Sequence, residues 1–187
     1  MIRQATMDDA TEIAPLLLTI WKDMELSIFK TEKEATIIKA LTKAILLPNY
    51  RYYYKHIYVY EKGQQIAGVV AGYPSKIEPL IEKPWQQVIE EFHLTHTKPV
   101  FVDLETFPNE WYLDSLVTSE EFRGQGIGSA LTNELPNIAK ASGESVIGLN
   151  CDKKNPHAKR LYNRLGFVKV GEVVLGTHLY DHMQKPL

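Results

Sequence analysis

Between an apolar run at residues 111–117 and an amphipathic run at 126–141 stands Phe122-Arg123-Gly124-Gln125-Gly126-Ile127-Gly128-Ser129. Three glycines at alternate positions let the backbone turn sharply and leave its N–H groups unshielded by side chains. With a strand entering and a helix leaving, those N–H groups sit at a helix N-terminus, where unpaired donors and the helix dipole favour an anion. Arg123 adds a planar fork suited to phosphate. The stretch reads as a pyrophosphate cradle, although glycines alone suit a bare strand–helix connector equally well. Spacing removes two other cradles. No Lys follows the glycines, as a G-x-x-x-x-G-K-[ST] loop requires. Counted from Gly124 and Gly126, the third position of G-x-G-x-x-G is Ser129, and the loop follows a long N-terminal half instead of opening the chain. What remains is R-x-x-G-x-G, with the arginine at 123 and glycines at 126 and 128.

Around this loop the apolar spacing alternates between the periods of strand and helix. Residues 2–5 predict a first strand. Ile13, Leu16, Leu17, Ile20, Trp21 and Met24 predict a helix over 8–24. Thr31 and Glu34 have the spacing of a capping box ahead of the stripe Ile37, Ile38, Leu41, Ile45. Residues 57–60 and 66–73 read as a hairpin turning at 61–64. The span 74–108 is punctuated by Pro74, Pro79, Pro84, Pro99 and Pro108, with a helix expected at 85–92. Strands are predicted at 111–117, 145–150, 167–174 and 178–183. Helices are predicted at 126–141, kinked at Pro136, and at 155–165, closed by Gly166. Strands alternating with helices imply an α/β layered fold on a sheet.

A second motif narrows the reading. Asn155, Ala158, Tyr162, Gly166 and Phe167 stand in the register N-x-x-A-x-x-x-Y-x-x-x-G-F. Together with the glycine loop, in this order and at this separation, the pattern resembles the GNAT superfamily of N-acetyltransferases over residues 110–170. The resemblance implies a mixed, mostly antiparallel sheet, with a parallel central strand pair splayed to hold CoA and helices on both faces. It implies acetyl-CoA as co-substrate and no metal. Leu116, Val117 and Thr118 would pair with the pantetheine arm, one of their N–H groups polarising the thioester carbonyl. Arg123, Gly124, Gln125, Gly126, Ile127, Gly128 and Ser129 would wrap the pyrophosphate, and Asn155 would contact the cofactor. Tyr162 matches the tyrosine that protonates the departing thiolate. Each has a plainer structural reading too: Tyr162 as a core aromatic, Asn155 as a helix cap, Arg123 as a surface charge.

An amine must lose a proton to attack a thioester. Many relatives carry a Glu in the strand before the N-x-x-A helix; here that residue is Asn150, which cannot act as a base. Asp114 is the first candidate, with Glu105 and Glu110 as alternatives; a strand-end carboxylate is the competing reading of Asp114. His93 and His96 are too isolated to suggest a metal site. His157 is read as exposed, with a phosphate contact as the alternative. Cys151 is expected beyond the strand end and without a histidine partner, so a catalytic thiol is not expected. The Tyr50-Arg51-Tyr52-Tyr53-Tyr54 run either lines an acceptor cleft or packs on the sheet.

Composition limits the partners. Net charge is −2 in 187 residues, which offers no whole-chain argument for nucleic acid. No apolar run approaches the ~20 residues of a membrane span. One cysteine suits a reducing compartment, so a cytoplasmic location is expected. The length favours a single domain over 1–187, with 74–110 as a variable insertion near the acceptor site. Locally the charge is polarised: residues 90–121 hold eight acids and one base, residues 151–169 six bases and one acid. Acids facing a cleft would favour a cationic small-molecule or peptide amine, while a solvated acidic surface is the alternative. The expected activity is N-acetyl transfer to such an amine; a non-catalytic acyl-CoA sensor of the same fold is the competing reading. A homodimer is compatible with either.

Overall fold

Seven strands form one sheet in the order β1-β2-β3-β4-β5-β7-β6 in the computed structural model, which describes all 187 residues. The strands are β1 (Ile2–Gln4), β2 (Ile57–Lys62), β3 (Gln65–Pro74), β4 (Trp111–Thr118), β5 (Val146–Asp152), β6 (Val168–Leu175) and β7 (His178–Pro186). The helices are α1 (Ala10–Asp23), α2 (Glu34–Ile45), α3 (Trp85–Phe92), α4 (Ile127–Ala141) and α5 (Pro156–Arg164). The antiparallel pairs are β1–β2, β2–β3, β5–β7 and β6–β7, and β4 runs parallel to β5. That is the mixed, mostly antiparallel sheet with a parallel strand pair that the family resemblance implies.

The chain packs as two compact units. The first comprises Met1–Gly72, Leu80–Phe101 and Ser115–Asn133. In it, Ile13, Leu17 and Trp21 of α1 and Ile37, Leu41 and Ile45 of α2 are fully buried, as their helical spacing requires. Trp21 meets Trp85 and Phe101 edge-on, at ring separations of 5.9 and 5.7 Å. Tyr50 and Tyr52 are buried beside them, so these two residues pack as core and do not line a cleft. Arg51 is buried too. Its guanidinium lies 3.6 Å above the Phe101 ring and its Nε donates to Glu82 Oε1 at 2.9 Å. Burial of this charge is tolerated because a carboxylate and a π-face replace its water.

The capping box at Thr31 is not formed. The N-cap of α2 is Lys33, with no side-chain cap. Residues 27–30 form a short 3₁₀ turn, and Thr31 Oγ1 donates back to Ile28 O at 3.4 Å. The turn therefore takes up the hydroxyl that would have capped the helix.

The second unit comprises Tyr73–Pro79, Val102–Asp114 and Glu134–Leu187. The β4–β5 ladder joins Trp111 to Ile147 and Tyr112 to Gly148 and then stops, although both strands continue. Asn155 caps α5 by accepting from the Ala158 N–H at 3.0 Å, with Pro156 in the first turn. Cys151 lies inside β5, paired with Asp181 of β7, and not beyond the strand end; the β7 partner extends the strand to Asp152. Helix α4 runs unbroken through Pro136.

Candidate active site

The glycine loop is built as its sequence demands. Gly124 and Gly126 both have φ of +77°, a left-handed backbone that side chains disfavour. A Cβ on either would meet nothing within 4 Å, so the space above the loop is open. The first bond of α4 runs from the Ala130 N–H to Gly126 O, at 2.9 Å. The N–H groups of Ile127, Gly128 and Ser129 precede it and have no carbonyl within the helix to meet. They form the anion-attracting end of a 15-residue helix.

Two close approaches fix this end. A Cβ on Gly68 of β3 would lie 2.7 Å from Ile127 Cγ2 and 3.2 Å from Val117 O, so only glycine lets α4 begin this near the strand. The Ser119 N–H donates to Ala67 O at 3.0 Å and ties the segment after β4 to β3. Arg123 is 62% exposed and lies 3.4 Å from Glu120, a surface pair of little strength that a ligand could replace.

Beside the loop is a cavity of about 480 Å³. Its walls are Leu116, Val117 and Thr118 of β4, with Glu120 and Arg123 on one side and Thr19, Ile20, Lys22 and Asp23 of α1 on the other. Four residues singled out by motif (Leu116, Val117, Thr118, Arg123) therefore share one cavity. Its α1 wall carried no motif and became visible only through the packing of that helix.

In the second unit, Tyr162 packs edge-on against Phe167 at 5.8 Å. Burial, with a smaller contribution from the Cys151 thiol, pushes its hydroxyl up to about 12. It is a proton-bearing group at any ordinary pH. Asp114 on β4 is half-buried. The other two base candidates are buried inside the polypeptide. Glu110 is fully buried and accepts from Phe107 N–H (2.8 Å), Gln184 Nε2 (2.7 Å) and His182 Nε2 (3.0 Å). Glu105 accepts from the Tyr112 hydroxyl at 2.9 Å. Burial, followed by the nearby carboxylate of Glu105, holds the Tyr112 phenol well above its ordinary range.

These groups form one directed network. Asn150 Nδ2 donates to Glu105 O at 2.9 Å and to the Tyr112 hydroxyl at 3.0 Å, which orients its Oδ1 toward His182 Nδ1 at 2.6 Å. The opposite amide orientation would set two carbonyl oxygens against each other. Both His182 nitrogens are thus engaged, Nδ1 with Asn150 and Nε2 with Glu110, in a fully buried ring. Phe107 stacks on it at 3.9 Å. Asn150 is thus a structural connector within this network, which agrees with its inability to act as a base.

The arrangement defines a class: a mixed sheet with a parallel strand pair and a glycine loop between a strand and a helix. The chain belongs to the GNAT family of acetyltransferases, whose model matches residues 19–167. A crystal structure described as an acetyltransferase is 45% identical to it, with a TM-score of 0.91 and coverage of 100% of this chain and 98% of that one. An N-acetyltransferase from Staphylococcus aureus Mu50 is 31% identical, with a TM-score of 0.87 and coverage of 98% and 99%. An uncharacterized N-acetyltransferase from Methanocaldococcus jannaschii is 26% identical over 175 residues, 94% of this chain; the match spans 63% of that relative's length.

Proposed function

We propose that the protein transfers the acetyl group of acetyl-CoA to a primary amine of a small molecule or peptide, by direct attack of the amine on the thioester. The observation that carries this reading is the loop at the head of α4. Its left-handed glycines, open upper surface and unpaired N–H groups suit a pyrophosphate, and family membership supplies the acetyl donor. Acetyl-CoA contributes an activated acyl carbon; the chain's residues position and polarise it. Arg123 and the N–H groups of residues 124–129 hold the pyrophosphate, and Asn155 contacts the cofactor from its cap position. The backbone of Leu116, Val117 and Thr118 aligns the pantetheine arm, and one of its N–H groups donates to the acyl oxygen as negative charge develops there. Asp114 takes the ammonium proton, directly or through water. Tyr162 donates its hydroxyl proton toward the leaving sulfur.

The acceptor is read as a cationic amine, acetylated in the cytoplasm, with the 74–110 segment near its site. The test is thiol release from acetyl-CoA over a panel of polyamines, aminoglycosides and peptide N-termini, beside calorimetric titration with acetyl-CoA. Binding with amine-dependent thiol release is the expected result. Binding with no release above background would make the protein a sensor, and absence of binding would refute the reading.

A further inference from the structure

The glycine loop has a neighbour outside its motif. Lys62, the last residue of β2, donates from its ammonium to the side-chain oxygen of Gln125, between the two left-handed glycines. The same ammonium lies 5.7 Å from the centre of the Phe122 ring, and Gln125 Nε2 is in turn tied to Glu121 O at 3.4 Å. The lysine is exposed, yet both its contacts are residues of the loop.

Charge shows what this placement does. The segment carries Glu120 and Glu121 immediately before Arg123, and Glu120 is the residue paired with that arginine. Taken alone, residues 120–129 bear two negative charges and one positive, an unfavourable approach for a pyrophosphate. Lys62 removes that deficit within the Debye length, about 8–10 Å at ordinary ionic strength. It also enters from the β2–β3 hairpin, the element beside the loop, which the Ser119 N–H to Ala67 O bond fixes in place.

We propose that Lys62 is a phosphate-binding residue of this cradle, supplying the second cation for the pyrophosphate of CoA while Gln125 holds its ammonium in position. The proposal rests on the acetyltransferase reading above. Lys62 and Arg123 then approach the anion from two elements, and the unpaired N–H groups of α4 meet it from a third side.

The test measures CoA affinity by calorimetry at low and high salt for wild type, Lys62→Gln, Lys62→Arg and Lys98→Gln, an exposed lysine outside the loop and β2. Lys62→Gln should weaken binding about five- to tenfold, as loss of one charge-assisted hydrogen bond does. Lys62→Arg should stay within about twofold of wild type, and Lys98→Gln, with the same change in net charge, should equal wild type. The loss should shrink at high salt and persist with 3′-dephospho-CoA. Equal affinity in Lys62→Gln and Lys98→Gln, or equal weakness in Lys62→Gln and Lys62→Arg, overturns the proposal. Disappearance of the effect with 3′-dephospho-CoA also overturns it, because the lysine would then read the 3′-phosphate. If wild type does not bind CoA, the acetyltransferase reading falls first and this proposal with it. Thermal melting checks folding, which an exposed Lys→Gln change should leave intact.

Discussion

Substituting Gly126 by alanine separates the cost of a strained backbone from the cost of a blocked ligand. At φ +77° an L-residue costs about 1–2 kcal/mol relative to glycine. The new Cβ meets nothing within 4 Å, so the folded protein bears no steric cost beyond that strain. For a chain of this size, 1 kcal/mol shifts Tm by about 2–4 °C, so a fall of about 2–8 °C is expected. Gly143, just after α4, is a matched control, with φ +82° and also nothing within 4 Å of a Cβ. The two variants should therefore melt alike. Their CoA affinities should differ, because only the Gly126 methyl occupies the open face of the cradle. A loss of about 100-fold or more is expected for Gly126→Ala, equivalent to roughly 2.8 kcal/mol, against no change for Gly143→Ala. Differential scanning fluorimetry and calorimetric titration on both proteins give the comparison. Affinities within threefold of each other would refute the cradle, whatever the melting temperatures show.

Tyr162→Phe should lower kcat about 100-fold with little change in KM for acetyl-CoA. Since its hydroxyl is pushed up to about 12, an alkaline fall in kcat below pH 10 would belong to another group. Asp114→Asn should flatten the acidic limb of the kcat profile with the fold unchanged by circular dichroism, and a superimposable profile would remove Asp114 as the base. Glu110→Gln should cost about 3 kcal/mol in urea unfolding, because the buried carboxylate holds Phe107 N–H, Gln184 and His182 together; a loss under 1 kcal/mol would contradict its place at the centre of that network. Asp9 is held at about 2, from 3.8, chiefly by its hydrogen bonds with Arg3. That lowered value means its contribution, about 2 kcal/mol, is present above pH 3.8 and lost as pH falls toward 2. In Asp9→Asn this acid-dependent loss should be absent from the stability–pH curve.

What could be read from the sequence depended on whether the cause was local. Helix α3 spans 85–92 as expected, and Trp85, Val88 and Ile89 are its buried residues. The turn at 123–129 was legible because alternate glycines admit the left-handed backbone found at Gly124 and Gly126. Asn155 was legible as a cap because Pro156 follows it. The capping box at Thr31 misled, because the competing 3₁₀ turn is stabilised by burial of Ile28, a tertiary effect. The α1 wall of the cavity and Lys62 carried no local signal. Both depend on which strands and helices become neighbours, and strand order β1-β2-β3-β4 is a property of the whole sheet.

Charge gives the sharpest instance of that dependence. Along the sequence, 90–121 is acidic and 151–169 basic, which suggests two surfaces waiting for opposite partners. In three dimensions much of that charge is already engaged. Glu105 and Glu110 are buried, accepting hydrogen bonds from Tyr112 and from His182 and Gln184. Glu91 pairs with Lys43 at 2.9 Å and Asp103 accepts from the Gly176 N–H at 2.7 Å. On the basic side, Lys159 and Lys169 converge on Asp181, whose carboxyl they hold at about 2, and Lys153 and Lys169 share Glu172. A carboxylate that accepts three hydrogen bonds at zero exposure exerts little attraction on a substrate, since its field is spent on its own donors. Of the eight acids in that stretch, Glu120 alone lines the cavity beside the glycine loop. Asp23 of α1 joins it there from outside that stretch, and Lys22 and Arg123 line the same 480 Å³ space, so the free cavity carries two charges of each sign. Glu120 is paired with Arg123 until a pyrophosphate competes for the arginine. A pyrophosphate that engages Arg123 should then tip the balance toward negative charge, so that a cationic amine binds more tightly with CoA than without it; equal amine affinity in the two states, by calorimetric titration, would refute this.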